Sequence, residues 1–444
     1  MSQDIRIAHV IDTRLNVRLH SPKINASKRS WPMEIGHQEE VIRAVYGDNH
    51  LGNNIWYELE SKKAFIWSGG VTFEDGNPPI PAQKRLIVTA DDYGAIPAIN
   101  LGIRAGVHKG VINSVAAFGN AGPDGLISQK MIRELRQIKN GDTIEIGAHL
   151  TLTSGNPITY EKGKELLICN MRRQKFNEVN KPGEIAQESM FKSSKILQSW
   201  IKTRYNFYNK TNKNRFIKEL KAEWKKQIES VKTGAGGKID HLTTHCNVHL
   251  WHKDFTEVFI ELAEEFNIPV RSYHNAPKWK GNWYLRAAGK NFFPKSALKV
   301  MQTAICKSNL NVKCPGFLNS RHFGPLPPQV VSGDREFKRL VDKKKNLLSK
   351  MFDDLRWSEH ESMELMLHLR GGQPLPKQKA YEDELYFQNE RGETVFYSGV
   401  DHKSFDSRTA ECQSIFLGFP KFENGVTKGT WSELTGDEPC GVVL

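Results

Sequence analysis

The sequence has few cysteines and no long apolar run. Its six cysteines are scattered over 444 residues without a Cys-x-x-Cys pair. This argues against a disulfide framework or a zinc ribbon and favours free thiols in a reducing compartment. No apolar stretch approaches the roughly 20 residues of a membrane-spanning helix. The first residues lack the basic and then apolar order of a signal peptide, so we expect a cytoplasmic protein.

The sequence also lacks any dense basic segment, although its charge is unbalanced. Lys and Arg number 63 against 50 Asp and Glu, which gives a formal net charge of +13. A basic surface can attract nucleic acid, anionic envelope polymers or acidic lipids. The excess is spread along the chain, with no zinc finger, RNP motif or unbroken basic arm, so nucleic-acid binding is not expected. A solvated basic face is the simpler interpretation.

The length and patterning predict two folded domains. Residues 1–76 contain short runs in which apolar and polar residues alternate, which is typical of strands separated by turns. The proline-rich residues 77–84 predict a linker. In residues 85–420 strands alternate with helices, which indicates a parallel sheet covered by helices. We expect residues 421–444 to form a C-terminal tail.

The N-terminal segment contains LNVR, WYEL and FIWSGGV, in that order. These segments resemble strands of a bacterial Src-homology-3-like domain. The resemblance implies a small all-β barrel that could dock an envelope glycan or a peptide. We expect Trp56, Phe65 and Trp67 to belong to its core rather than to a ligand platform.

Carboxylates and a histidine mark the ends of two predicted strands. Asp91 and Asp92 follow the apolar run LIVTA, and His149 lies in GAHLTLTSGNP. The carboxyl ends of parallel strands are where β/α-barrels build their active sites. Two adjacent carboxylates there can divide the work, one binding a cation and one acting as a base. The alternatives are a helix cap for one Asp and a core position for His149.

Three histidines recur at intervals of four in DHLTTHCNVHL: His241, His245 and His249. On a helix they would share a face, but the strand propensity of the segment favours a strand and its exit loop. Imidazoles are the commonest neutral ligands for divalent transition metals. A histidine-rich loop can also be inert, and His241 and His249 could either support a site or simply pack in the core.

Taken in order, TADDYG, GAHLTLTSGNP and HLTTHCNVH resemble the three signatures of the YdjC-like carbohydrate deacetylases. Two later segments, IPVR at residues 268–271 and ELMLH at residues 364–368, resemble further motifs of that family. The resemblance covers residues 85–420. It implies an α/β fold, a distorted β/α-barrel related to polysaccharide deacetylases, and metal-dependent removal of N-acetyl groups from amino sugars or oligosaccharides.

Carried over residue by residue, the resemblance implies one divalent metal ion, zinc or magnesium, with three ligands: Asp92, His149 and His245. Asp91 would be the general base and His368 the general acid. Arg271 would orient the carboxylates or balance their charge. Such a set leaves coordination positions for water and the acetyl carbonyl of an N-acetylated oligosaccharide. A homodimer is left open.

The chain departs from the family pattern at three points. Thr243 and Asn247 stand where the third motif has Asp and His, and Leu369-Arg370 replaces a Pro-Gly. These departures would favour a catalytically weakened sugar-binding protein on the same fold, and an Arg beside the site could favour an anionic substrate. A glycoside hydrolase is a further alternative, which would need two carboxylates flanking a glycosidic bond.

Overall fold

A computed structural model describes the protein over these residues: 6–12, 15–19, 21–24, 30–60, 64–121, 125–155, 157–159, 166–168, 194–271, 294–306, 318–319, 334–356, 362–369, 386–388, 394–396, 402–423 and 425–434. The chain forms two compact units, which are described separately. The first unit takes its described residues from 1–86, 348–363 and 420–429, and the second from 87–347, 364–419 and 430–444.

The first unit is built on an antiparallel sheet. Its strands are β1 (Arg6–Val10), β2 (Asn16–Leu19), β3 (Ser30–Pro32), β4 (Gln38–His50), β5 (Asn53–Leu59), β6 (Ala64–Trp67) and β7 (Val71–Phe73), in the order β3-β2-β6-β5-β4-β1-β7. Leu51 and Gly52 connect β4 to β5 with φ of 52° and 86°. Positive φ at both central residues is typical of a two-residue hairpin turn, which explains the glycine.

Both faces of this sheet carry buried side chains. Tyr57 packs edge to face on Phe73, with ring centroids 5.1 Å apart, in the larger of two apolar clusters. Its neighbour Trp56 points to the opposite face, where it clusters with Phe65. Trp67 is partly buried against both clusters. The aromatic residues are therefore core residues, as predicted, whereas the Src-homology-3-like resemblance stays a prediction.

The second sheet is parallel. Its strands are β8 (Lys84–Tyr93), β9 (Ser114–Ala117), β10 (Glu145–Leu150), β11 (Leu242–Thr244), β12 (Leu318–Asn319) and β13 (Ser362–Leu367), in the order β11-β10-β9-β8-β13-β12. Two further strands, β14 (Tyr386–Gln388) and β15 (Thr394–Phe396), form a hairpin. Strand β16 (Val426–Lys428) pairs with β8. The described helices are α1 (Pro97–His108), α2 (Leu126–Gln137), α3 (Ser194–Thr203), α4 (Lys210–Gly234), α5 (Lys253–Phe266), α6 (Lys295–Cys306), α7 (Asp334–Arg356) and α8 (His402–Gly418).

This order of elements confirms the predicted fold class, an α/β protein with a distorted β/α-barrel that follows an all-β unit. Strands β9, β10 and β13 are buried along their whole length. Burial on both faces suits parallel strands that are covered by helices. Helix α1 begins at Pro97, whose fixed φ suits a first helical position.

Helix α4 buries an apolar stripe that recurs every four residues: Phe216, Leu220, Trp224 and Ile228. The helical region before β11 is in two parts, because α3 ends at Thr203 and α4 starts at Lys210.

The segment predicted as a C-terminal tail contributes to packing. Strand β16 lies parallel to the first residues of β8, and Trp431 is fully buried. The exact boundaries of the predicted domains stay predictions. Among the described helices, none is long and apolar enough to cross a membrane.

Candidate metal and catalytic site

The predicted site residues meet at the carboxyl edge of the parallel sheet. Asp91 and Asp92 lie near the end of β8, His149 lies near the end of β10, and His245 directly follows β11. Arg271 follows Val270, which bridges to β11, and His368 directly follows β13. Because parallel strands all end at the same edge, residues far apart in the sequence face one another there.

The centre of the site is a buried group of one carboxylate and two imidazoles. Asp92 Oδ1 lies 3.1 Å from His149 Nε2 and 3.0 Å from His245 Nδ1. One donor atom from each residue lies within 4.8 Å of the other two, and this is the one such group found among the described residues. At most 3% of any of these residues is exposed. The group could bind a metal ion.

An irregular backbone turns Asp91 and Asp92 towards different partners. The pairing of β8 with β9 shifts register between Ala90 and Tyr93, which is the pattern of a β-bulge. Asp92 has a φ of 71°, in the left-handed region that a non-glycine residue rarely adopts. Backbone conformations of this kind cluster at functional sites, where the surrounding structure holds them in place.

The second oxygen of Asp92 is held by an arginine that the sequence analysis did not identify. Arg408, on α8, donates from Nη1 to Asp92 Oδ2 at 2.8 Å. Burial alone would raise the pKa of Asp92, but the Arg408 guanidinium and the His245 ring outweigh burial and hold that pKa well below its usual range. Asp92 is therefore a carboxylate at neutral pH.

Asp91 belongs to a separate buried ion network. Arg271 donates from Nη1 to Asp91 Oδ2 at 2.5 Å and from Nη2 to Asp91 Oδ1 at 2.8 Å. The same guanidinium donates from Nε to both oxygens of Glu364, at 3.0 and 2.9 Å. Burial raises the pKa of Asp91, but Arg271 outweighs it and the net shift is downward. At Glu364 burial prevails, and the pKa is raised.

His368 faces both carboxylates without touching either. Its Nε2 lies 3.9 Å from Asp91 Oδ2 and 4.0 Å from Asp92 Oδ2, and 21% of its side chain is exposed. Burial, followed by the charge of Arg408, lowers the pKa of His368 to about 3. The imidazole is therefore neutral at pH 7.

The backbone also turns sharply after His245. The predicted exit loop of β11 is a short 3-10 helical segment, His245–Trp251, interrupted at Cys246 and Asn247, whose φ values are 54° and 53°. Asn247 is one of the positions that depart from the family pattern. Arg370, which also departs from that pattern, lies outside the described residues.

The other two histidines of the third motif pack in the core. His241 stacks on Trp431, with ring centroids 4.6 Å apart and planes at 12°. His249 stacks on Phe259 at 4.4 Å, and its Nδ1 lies 2.5 Å from Thr244 Oγ1. Burial lowers the pKa of His249 to about 3, and that of His241 falls well below its usual range. Neither belongs to the group around Asp92.

The loop that follows His149 is fixed by helix α4. Gln227 accepts a hydrogen bond from Thr151 N at 2.9 Å and donates to Thr151 O at 3.1 Å. The buried Glu223 accepts from the backbone N–H of Ile158 and Thr159, at 3.0 and 2.8 Å. Two polar residues of a buried helix face therefore order the loop of the second motif.

The fold and the site define an α/β protein with a buried Asp-His-His group at the carboxyl edge of its parallel sheet. The profile of the YdjC-like protein family matches residues 85–395, more than two thirds of the chain. The chain belongs to that family.

Curated relatives carry the name carbohydrate deacetylase. One from Oceanobacillus iheyensis is 27% identical over 187 residues, which cover 42% of this chain and 64% of the relative. One from Clostridium beijerinckii is 28% identical over 189 residues, which cover 42% of this chain and 59% of the relative. The chain thus matches less than two thirds of the length of each.

A solved structure of an Enterococcus faecalis V583 protein is also similar. It has a TM-score of 0.43 and 17% sequence identity, and the match covers 79% of this chain and 98% of that one. This distant likeness adds nothing to the fold described above.

Proposed function

We propose that the protein is a metal-dependent carbohydrate deacetylase that hydrolyses N-acetyl groups of amino sugars or oligosaccharides and releases acetate. The observation that carries the proposal is the buried group in which Asp92 Oδ1 lies 3.1 Å from His149 Nε2 and 3.0 Å from His245 Nδ1. Membership of the YdjC-like family, with relatives named carbohydrate deacetylases, suggests the reaction and the substrate class.

The donor set suggests which metal the protein would use. A divalent cation bound by Asp92, His149 and His245 would polarise the acetyl carbonyl and make a water molecule more acidic. Two imidazoles and one carboxylate form a ligand set typical of catalytic zinc, whereas magnesium prefers oxygen ligands. We therefore favour zinc or a similar transition metal over magnesium.

Asp91 is the proposed base and His368 the proposed acid. Arg271 contacts both oxygens of Asp91 and keeps the carboxylate ionised and fixed in orientation, so that it can accept a proton from the attacking water. His368, whose Nε2 lies 3.9 Å from Asp91 Oδ2, would relay that proton to the departing amine. The proton of the water thus ends on the amino sugar, and the hydroxyl ends on acetate.

Acetate release tests the proposal. Chelator-treated protein, restored with zinc or with magnesium, is offered a panel of N-acetylated oligosaccharides, and acetate and new reducing ends are both measured. We expect metal-dependent acetate from the wild type and none from Asp91→Asn. Asp254→Asn is a matched control, because Asp254 accepts a hydrogen bond from Tyr205 and lies outside the site.

The two alternatives give different results in the same assay. New reducing ends without acetate would identify a glycoside hydrolase instead. Bound metal with neither product from any sugar would indicate the weakened sugar-binding protein.

A further inference from the structure

We propose that Thr243 is a positioning residue that controls the metal affinity of the site, by holding His149 in the form that binds metal through Nε2. The inference rests on the proposed metal site and concerns a residue that does not itself bind the metal. Thr243 is one of the positions at which this chain departs from the family pattern.

The contact between the two residues is close and buried. Strands β10 and β11 are parallel neighbours, and their register places His149 directly beside Thr243. Thr243 Oγ1 lies 2.6 Å from His149 Nδ1, and both residues are almost completely buried, with exposed fractions of 0% and 2%. The opposite ring nitrogen, Nε2, faces Asp92 Oδ1. The ring therefore lies between a hydroxyl and a carboxylate.

The position of the ring proton decides whether His149 can bind a metal. A neutral imidazole carries one proton, and only the nitrogen without it offers a lone pair. Asp92 favours the proton on Nε2, because a carboxylate is the stronger acceptor. An acceptor at Nδ1 favours the tautomer whose Nε2 is free for a metal, and the hydroxyl oxygen Thr243 Oγ1 can serve as that acceptor.

A hydroxyl performs this task less strongly than a carboxylate would. A carboxylate that accepts from the far nitrogen makes a histidine ligand more basic and the metal more tightly bound. With a neutral hydroxyl at this place, His149 is a weaker donor, and the site should exchange its metal more readily. Replacing Thr243 by Asp should therefore tighten metal binding, and removing the hydroxyl should weaken it.

The next residue provides a matched control. Thr244 lies on the same strand, is also buried, and its Oγ1 lies 2.5 Å from Nδ1 of another histidine, His249. His249 does not belong to the Asp-His-His group. Thr243→Val and Thr244→Val each remove a hydroxyl that contacts a histidine Nδ1, and valine keeps nearly the shape of threonine. They differ in whether the histidine belongs to the proposed metal site.

Zinc affinity, measured on metal-free protein by competition with a chromophoric chelator, tests the inference without any activity assay. We expect Thr243→Val to lose about 10–100-fold in affinity, the usual effect of removing such an outer partner. Thr243→Ser keeps the hydroxyl and should stay within about threefold of the wild type, since its oxygen can still accept from Nδ1. Thr244→Val should bind zinc as the wild type does.

Two results would overturn the inference: wild-type affinity in Thr243→Val, or an equal loss in Thr244→Val. Circular dichroism checks that each variant is folded. If Thr243→Val does not fold, Thr243→Asp decides, because zinc binding no tighter than in the wild type would contradict the account. A wild type that binds no zinc would overturn the metal site itself, which is a distinct result.

Discussion

Arg271 contacts both carboxylate oxygens of Asp91 and, through its other edge, the carboxylate of Glu364. All three side chains are at most 2% exposed, so solvent does little to screen their charges. The planar guanidinium can serve two carboxylates at once because its N–H groups point in fixed, divergent directions. This bridge fixes the orientation and the ionisation of the proposed base.

Substituting Arg271 by Lys should impair both stability and proton transfer. An ammonium group cannot reproduce two bidentate contacts, which leaves buried carboxylates poorly compensated; breaking such a pair costs about 3–5 kcal/mol. The pKa of Asp91 should rise, because Arg271 is what holds it down. As the pH is lowered, the variant should then lose activity at a higher pH than the wild type does. Denaturant unfolding and the pH profile of acetate release measure the two effects.

Arg43→Lys is the control for this prediction. Arg43 pairs with Glu58 in the first unit, with Nη2 2.6 Å from the carboxylate. Its substitution should lower stability without moving the acidic limb of the pH profile. An unmoved limb in Arg271→Lys would contradict the role given to Arg271.

Arg408 should weaken metal binding through its charge. Its guanidinium lies 2.8 Å from the second oxygen of Asp92 and so competes for the carboxylate that would bind the cation. Arg408→Gln removes one positive charge from a buried site and should tighten zinc binding roughly tenfold or more at pH 8. Arg408→Lys retains the charge and should resemble the wild type. Weaker zinc binding in Arg408→Gln would show that Arg408 instead serves mainly to hold Asp92 in place.

The glycine of the second motif leaves room for a histidine of the third. A Cβ at Gly147 would lie 2.2 Å from His241 Nε2, and the His241 ring is already stacked on Trp431. Gly147→Ala should therefore cost about 1–3 kcal/mol of unfolding free energy, as overpacked cores usually do. Combining it with His241→Ala should relieve the clash. Strictly additive effects in denaturant unfolding would contradict this explanation.

Much of the site could be predicted because its residues follow strands. Asp92 and His149 lie near the ends of two parallel strands and His245 follows a third, and parallel strands end at one edge. Their mutual approach therefore follows from the order of strands and helices. The distances among them could not be predicted, since they depend on the bulge that gives Asp92 its φ of 71°.

The contacts missed by the sequence analysis are those between distant elements. Arg408 enters from a helix 316 residues after Asp92, in a segment without a recognisable motif. Periodicity within a helix does not reveal which residue of another element it will meet. Likewise, the spacing of the histidines left open whether His241 and His249 support the site around His245 or pack in the core. The left-handed backbone after His245 separates them, so that one faces Asp92 and two pack in the core.

Metal content tests the central claim most directly. Wild-type protein, His245→Gln and His249→Gln are each equilibrated with zinc, freed of excess metal and analysed by mass spectrometry for zinc per chain. The two histidines lie in the same 3-10 segment, but only His245 faces Asp92. The account predicts one zinc in the wild type and in His249→Gln, and a loss of zinc in His245→Gln. Equal zinc content in all three proteins would contradict it.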